Sequence, residues 1–425
     1  MCPPLAESPW QTPRVTRTWR TLPRWLVGGG AIAVAIGTMN VATYGFTMIC
    51  ARILGPQAYG AVAAVMATLM VISVLQLGLQ ATAARRIAAD PGHVGQIEVS
   101  IMRVTYRAAL VVGMLLVVLS PALDRLLRLD SLPVALLVAV AAVPMTVMGG
   151  QAGILQGERR WLPLALVYLA NGVPRVVFGT ALIVWRPDEF TAILGVVLGQ
   201  FVPVLVGWRA LRSLRAPGQV SADHAARPVL REVAHNSQAL LAFFALTNAD
   251  VVVARNVLEG HDAGLYAGGL ILTKAVLFLP QFVVVLAFPA MASATERRRA
   301  LTRSLVLVAL LGACTVLGAW LLSGVAMIFV GGQGYREIEG LLWLFAILGT
   351  ALAALQLLVY AVLARRGQRS VFLVWGALAV LVTIGAMTPT LEALLALVIT
   401  VDVCLLAALV IVSYLLVRKP VPVAP

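Results

Sequence analysis

Long apolar stretches separated by short polar ones run along the whole chain. Twelve are long enough to span a bilayer, at approximately 26–51, 60–83, 104–123, 132–156, 162–185, 190–210, 238–257, 265–290, 304–325, 339–363, 371–388 and 392–417. Crossing about 30 Å of hydrocarbon takes roughly 20 apolar residues at about 1.5 Å each. The predicted class is an all-α polytopic membrane protein of about twelve transmembrane helices. A membrane β-barrel would show short alternating strands instead. Most connections are short, as between antiparallel helix neighbours. The exception is the polar segment around Arg212–Asn236, with Pro217, Gly218 and Pro228, which splits the spans into two sets of six. The expected organisation is a tail at 1–25, an N-lobe at 26–211, a linker at 212–237, a C-lobe at 238–417 and a tail at 418–425. The linker is assigned no chemistry.

Composition agrees: 61% of residues are hydrophobic and 12% charged, with mean hydropathy +0.95. The net charge of +14 suggests nucleic acid until the cations are located. One set of loops collects the N-terminal arginines, Arg85, Arg86, Arg103, Arg107, Arg159, Arg160, Arg209, Arg212, Arg215, Arg227, Arg231, Arg297 to Arg299, Arg303, Arg365, Arg366, Arg369, Arg418 and Lys419. The opposite set holds only Arg52, Arg125, Arg128, Arg186 and Arg336. Such a bias sets membrane topology. It places both termini in the cytoplasm and argues against nucleic acid as a partner. The first apolar run is full length and reads as a retained span, not a cleaved signal. Cys2, Cys50, Cys314 and Cys404 have no spacing that suits a disulfide framework or zinc, so no metal is expected. There is no GxxxxGK[ST] stretch, and no cofactor is expected.

The two halves share landmarks. Ala51–Gly60 reads ARILGPQAYG and Ala254–Tyr266 reads ARNVLEGHDAGLY; in each, a glycine (Gly60, Gly264) follows the Ala-Arg pair. The ends of spans 4 and 10 also match, as LQGERRW (Leu155–Trp161) and LARRGQRS (Leu363–Ser370). Similar spacing between landmarks predicts a duplicated six-helix unit. An even helix count keeps both copies the same way up, related by an axis along the membrane normal.

Ala51–Ala88, with its Arg-x-Leu-Gly-Pro turn, aromatic-Gly start to span 2 and basic exit at Arg85 and Arg86, resembles the polysaccharide-biosynthesis (O-antigen-type) flippases. Leu155–Gly179 resembles their span 4–5 turn, and Asp250, Gly264, Tyr266 and Pro289 their span 7–8 hairpin. That family belongs to the multidrug/oligosaccharidyl-lipid/polysaccharide exporter superfamily. The resemblance implies two pseudo-symmetric six-helix lobes around a central cavity that opens alternately to either side. It also implies a bacterial inner (plasma) membrane location. The implied substrate is a lipid-linked oligosaccharide of the undecaprenyl-pyrophosphate type, with membrane lipids, a polysaccharide polymerase and glycosyltransferases as the implied partners.

Polar residues inside the spans are the candidate site. Arg175 lies mid-span after Gly172 and Pro174, and its planar fork suits a phosphate. Asn40, Tyr44 and Thr47 share one face of span 1; they line a sugar path or bond helix to helix. Asn248 shares a face with Arg255. Arg52 and Arg255 occupy corresponding places in the two repeats, as a cationic rim for the headgroup or as interfacial snorkels. Asp250 and Lys274 sit at similar depths and are expected to touch or to share a polar pocket, either as a structural ion pair or as a coupling pair. Asp402, mid-span in the last helix, either titrates or pairs with a neighbour. Pro280 and Gln281 suggest a kink in span 8. A cation-coupled multidrug exporter of the same fold is the main alternative, and a basic interior argues against cationic drugs. A polytopic membrane glycosyltransferase or polymerase is the enzymatic one. It would need paired carboxylates, and only Asp188 and Glu189 are adjacent in the outer loops.

Overall fold

A computed structural model of the chain describes residues 29–212, 221, 226–277, 297–363 and 368–417. The expected kink at Pro280 and Gln281, the landmark Pro289 and both tails lie outside the described residues. The helices are α1 Gly29–Ala89, α2 Val94–Leu127, α3 Leu132–Gly157, α4 Trp161–Trp185, α5 Glu189–Ala210, α6 Ala226–Val257, α7 Gly260–Val276, α8 Arg297–Leu321, α9 Ser323–Val330, α10 Leu342–Leu363, α11 Gln368–Gly385 and α12 Leu391–Val417. Among the described residues, nine helices are long and apolar enough to cross a membrane. The chain is an all-α, multi-pass membrane protein.

The first two expected spans are one helical element, broken at a single residue. Gly55 has φ 71 and ψ 175, and Pro56 follows it. Proline pushes the residue before it out of the α region, and a positive φ is cheap only for glycine. The loop anticipated between spans 1 and 2 therefore collapses to one residue. Thr43 before the bend and Met70 after it border the same cavity, so the two arms fold back on each other. We refer to this end of the molecule as the hinge end.

Helix α6 starts at Ala226 and runs unbroken to Val257, so much of the expected linker is helical. Pro228 falls in its first turn, where a missing N–H costs nothing. Ser221 is held at the start of α2: its N–H donates to Gln96 Oε1 and its carbonyl accepts from Gln96 Nε2, both at 2.8 Å.

Helices α1 to α5 pack as one group, and α7, α8, α10, α11 and α12 associate as a second. Small residues bring backbones together. Gly149, Gly153 and Gly157 form a stripe on α3 against the second arm of α1; a Cβ on Gly153 would sit 2.7 Å from Gln80 Cα and one on Gly157 2.7 Å from Ile87 Cβ. Where lipid is as apolar as leucine, such close packing is a main source of helix association. The largest buried apolar cluster joins the groups, running from Phe46, Tyr59 and Leu69 to Tyr266, Phe345 and Leu394.

Candidate functional site

A cavity of about 140 Å³ lies where the two groups meet. Polar side chains reach it from several helices: Thr43, Thr47 and Ser73 from α1, Arg175 from α4, Gln200 from α5 and Lys274 from α7. Arg175 is placed by local sequence. Gly199 of α5 packs directly on its backbone, where a Cβ would lie 2.9 Å from Arg175 Cα. The Arg175 Nε is buried and has no hydrogen-bond partner, and neither has the buried Oε1 of Gln200. Among the described residues, Lys274 makes no hydrogen bond and no ion pair within 4.0 Å. Two cations, one from each helix group, thus face one small space, and no acidic side chain borders it among the described residues. A buried unpaired donor is costly, and an anion in the cavity would satisfy both.

The anticipated Asp250–Lys274 contact is not an ion pair. Asp250, only 3% exposed, accepts from Tyr266 Oη at 3.0 Å and from the Val251 N–H at 2.9 Å. Its charge and that of Lys274 still influence each other, but Lys274 points to the cavity and Asp250 does not border it. Helical depth was the basis of the pairing, and depth leaves azimuth open; the Tyr266 hydroxyl takes the place expected for the lysine. Asp402 is buried in α12 near Asp250 and Tyr266, with its Oδ1 unpartnered.

The other expected site residues divide. Thr47 borders the cavity; Asn40 and Tyr44 do not. Its partner on that face is Thr43, one turn away, whose carbonyl accepts from Thr47 Oγ1 at 2.9 Å. Asn248 is buried off the cavity and donates to the Phe244 carbonyl at 2.9 Å. Sequence reasoning missed Thr43, Ser73 and Gln200. Gln200 had the clearest signal, an amide in the apolar run Gly195–Val204.

Arg52 and Arg255 lie at the hinge end. Arg255 Nε donates to the Leu127 carbonyl at 3.1 Å, and its Nη2 to the Arg128 carbonyl. Asn256 Nδ2 donates to the Leu126 carbonyl at 2.7 Å. These carbonyls close α2, where Arg128 caps the helix at φ 46. A cation there meets the negative end of the helix dipole. Arg52 lies beside Gly332, 3.7 Å from where a Cβ would stand. Gly332 precedes the 3-10 segment Gln333–Leu341. Next to Arg52, the Ala51 carbonyl accepts from Tyr335 Oη at 3.2 Å. Gly60 and Gly264 meet there too: a Cβ on Gly60 would lie 3.1 Å from Gly264 Cα. At the other end, which we call the basic end, Arg85 and Arg86 of α1 both engage Glu232 of α6, Arg86 at 2.7 Å. Asp188, one of the two adjacent outer-loop acids, accepts from the Thr191 N–H at 2.8 Å and so caps α5.

The fold has well-defined relatives. A multidrug resistance MATE family transporter of the MOP superfamily, in its inward-facing conformation, is 16% identical with TM-score 0.70; the match covers 88% of this chain and 96% of that one. The lipid II flippase MurJ in an inward closed conformation is 10% identical with TM-score 0.69, covering 90% of this chain and 87% of that one. A MOP superfamily transporter from Pyrococcus furiosus is 16% identical with TM-score 0.60, covering 93% and 98%. No curated protein matches in sequence. The family described as polysaccharide biosynthesis protein matches residues 26–295, more than half of the chain. The fold is the one these solved transporters share. With a transporter fold built round a cavity that two unpaired cations share, the chain belongs to the polysaccharide biosynthesis protein family.

Proposed function

We propose that this protein flips a lipid-linked oligosaccharide of the undecaprenyl-pyrophosphate type across the bacterial inner membrane by alternating access. One observation carries the reading: Arg175 and Lys274 face one cavity from different helix groups, and among the described residues neither makes an ion pair within 4.0 Å. A diphosphate between them would tie the groups together electrostatically. The prenyl tail would stay in lipid. A space of about 140 Å³ suits a phosphate rather than a sugar chain, so we take this conformation as one that must widen to admit the sugars. The cations weigh against a cation-coupled drug exporter, because like charges repel at close range.

The architecture we propose is two pseudo-symmetric six-helix lobes, 26–211 and 238–417, related by an axis along the membrane normal. Support comes from the hinge end. Repeat-related residues near a two-fold axis meet their own mates, as Gly60 and Gly264 do. Arg255 reaches the α2–α3 connection, and Arg52 lies beside the connection between α9 and α10. Each landmark arginine thus reaches the corresponding connection of the opposite lobe. The basic end faces the cytoplasm by charge bias, which puts the hinge end and its closure outside and both termini inside. A polysaccharide polymerase outside and glycosyltransferases inside would be the functional partners.

The test is headgroup translocation in proteoliposomes. Arg175→Gln is expected to reduce flipping of a prenyl-diphosphate sugar at least tenfold, and Arg175→Lys to restore part of it. Normal flipping by well-folded Arg175→Gln protein would remove the reading.

A further inference from the structure

A groove of about 970 Å³ lies at the basic end, bordered among the described residues by Arg227, Pro228, Arg231, Glu232, Ala234 and Gln238 of α6. Its size is at the upper end of small-molecule sites, roughly 300–1,000 Å³. Arg227 and Arg231 are one helical turn apart on α6 and exposed. Among the described residues, neither makes a hydrogen bond or an ion pair. Glu232, the groove's carboxylate, is already engaged by both Arg85 and Arg86. Among the described residues, these four arginines face this one carboxylate, a surplus of three positive charges.

Arginines that only set topology need no groove and no second pair to occupy the nearest acid. Here that acid is taken from the α1 side, and two guanidinium forks remain free over a concavity. Side chains one turn apart have Cβ atoms about 5–6 Å from each other, a spacing that lets two forks grip two linked phosphates. A phosphodiester with a single charge would need only one. Gln238 adds neutral donor and acceptor groups for a sugar. The groove is not the central cavity. Arg231 and Val251, which borders that cavity, are separated by roughly 30 Å of continuous helix at about 1.5 Å per residue.

We propose that this groove is a separate docking site for the diphosphate headgroup of a prenyl lipid, occupied before the headgroup reaches Arg175. The site rests on the reading that such a lipid is carried. It would hold the headgroup at the membrane surface and raise its local concentration at the basic end.

Equilibrium binding of farnesyl diphosphate to the full-length protein in nanodiscs tests this. The Arg175→Gln background isolates the groove from the cavity. A saturable site should remain there. Arg227→Gln with Arg231→Gln should raise its Kd about tenfold or more, and Arg227→Lys with Arg231→Lys should raise it less. Unchanged binding in the double glutamine variant overturns the proposal. So does equal displacement by phosphatidylglycerol, which would make the groove an anionic-phospholipid contact. The transport reading fails separately: wild type that binds at the groove but flips nothing keeps the site and loses the flippase.

Discussion

Helix α6 is held against the first helix group at both of its ends, by different chemistry. At the hinge end, Arg255 and Asn256 of α6 donate to three backbone carbonyls at the close of α2, and beside them Gly60 lies on Gly264 of α7. At the basic end, one carboxylate serves two arginines, and the Arg85 side chain is 55% exposed. The first closure is short-range: donors must stand over fixed carbonyls and backbones must touch. The second is a charge cluster with Arg85 open to water and Arg86 and Glu232 14% and 21% exposed, where screening acts over about 8–10 Å at ordinary salt. Two latches on one helix suit alternating access, because one end can release while the other holds. The difference implies that ionic strength weakens the basic end and leaves the hinge end alone.

The most severe way to break the hinge end is steric. Gly264→Val puts a side chain onto the Pro56 carbonyl, where backbone cannot step aside. Overpacking costs about 1–3 kcal/mol, so a thermal-shift measurement should show a clear fall in Tm and a fall in folded yield. An unchanged Tm would mean that the backbones do not meet as described.

Next in size is the loss of the carbonyl clamp. Arg255→Gln removes hydrogen bonds from a charged donor, worth about 1.5–3 kcal/mol. The separation of spin labels at Leu126 and Glu259 should then shift to longer distances in a large fraction of molecules. That shift should be the same at low and high salt. A salt-dependent shift would place this clamp in the same class as the basic end.

Glu232→Gln should have the smallest effect, about 1 kcal/mol, the upper end for surface ion pairs, because Arg86 and Glu232 are only partly solvated. Alkylation of a cysteine placed at Ala84 should rise modestly at low salt. The wild type should approach the variant as salt increases. If high salt fails to close that gap, the Arg85–Glu232–Arg86 cluster is held by something other than charge.

Much of the fold could be read directly, because bilayer thickness imposes span length on any sequence. Arg175 was legible for the same reason: a guanidinium within an apolar run cannot face lipid cheaply. The Asp250–Lys274 pairing was not. Helical spacing reports depth along an axis, whereas contact depends on how α6 and α7 are rotated, and that rotation delivers the Tyr266 hydroxyl to Asp250. The linker at 212–237 could be read only as a polar segment without chemistry; that it is helix from Ala226, with Val229 and Val233 buried in one cluster with Leu79 and Ile87, depends on α1 being there to cover that apolar face.

The sequence by itself therefore determined that the chain is a multi-pass helical membrane protein with repeated landmarks and a polar interior. Hydrophobic length and charge bias are properties of the chain alone, so they need no partner to act. Tertiary structure decided which polar groups share a space, that Gly55 turns the chain in one residue, and that α6 is gripped at both ends. Those outcomes depend on helix rotation and close approach, set by contacts between residues far apart in sequence.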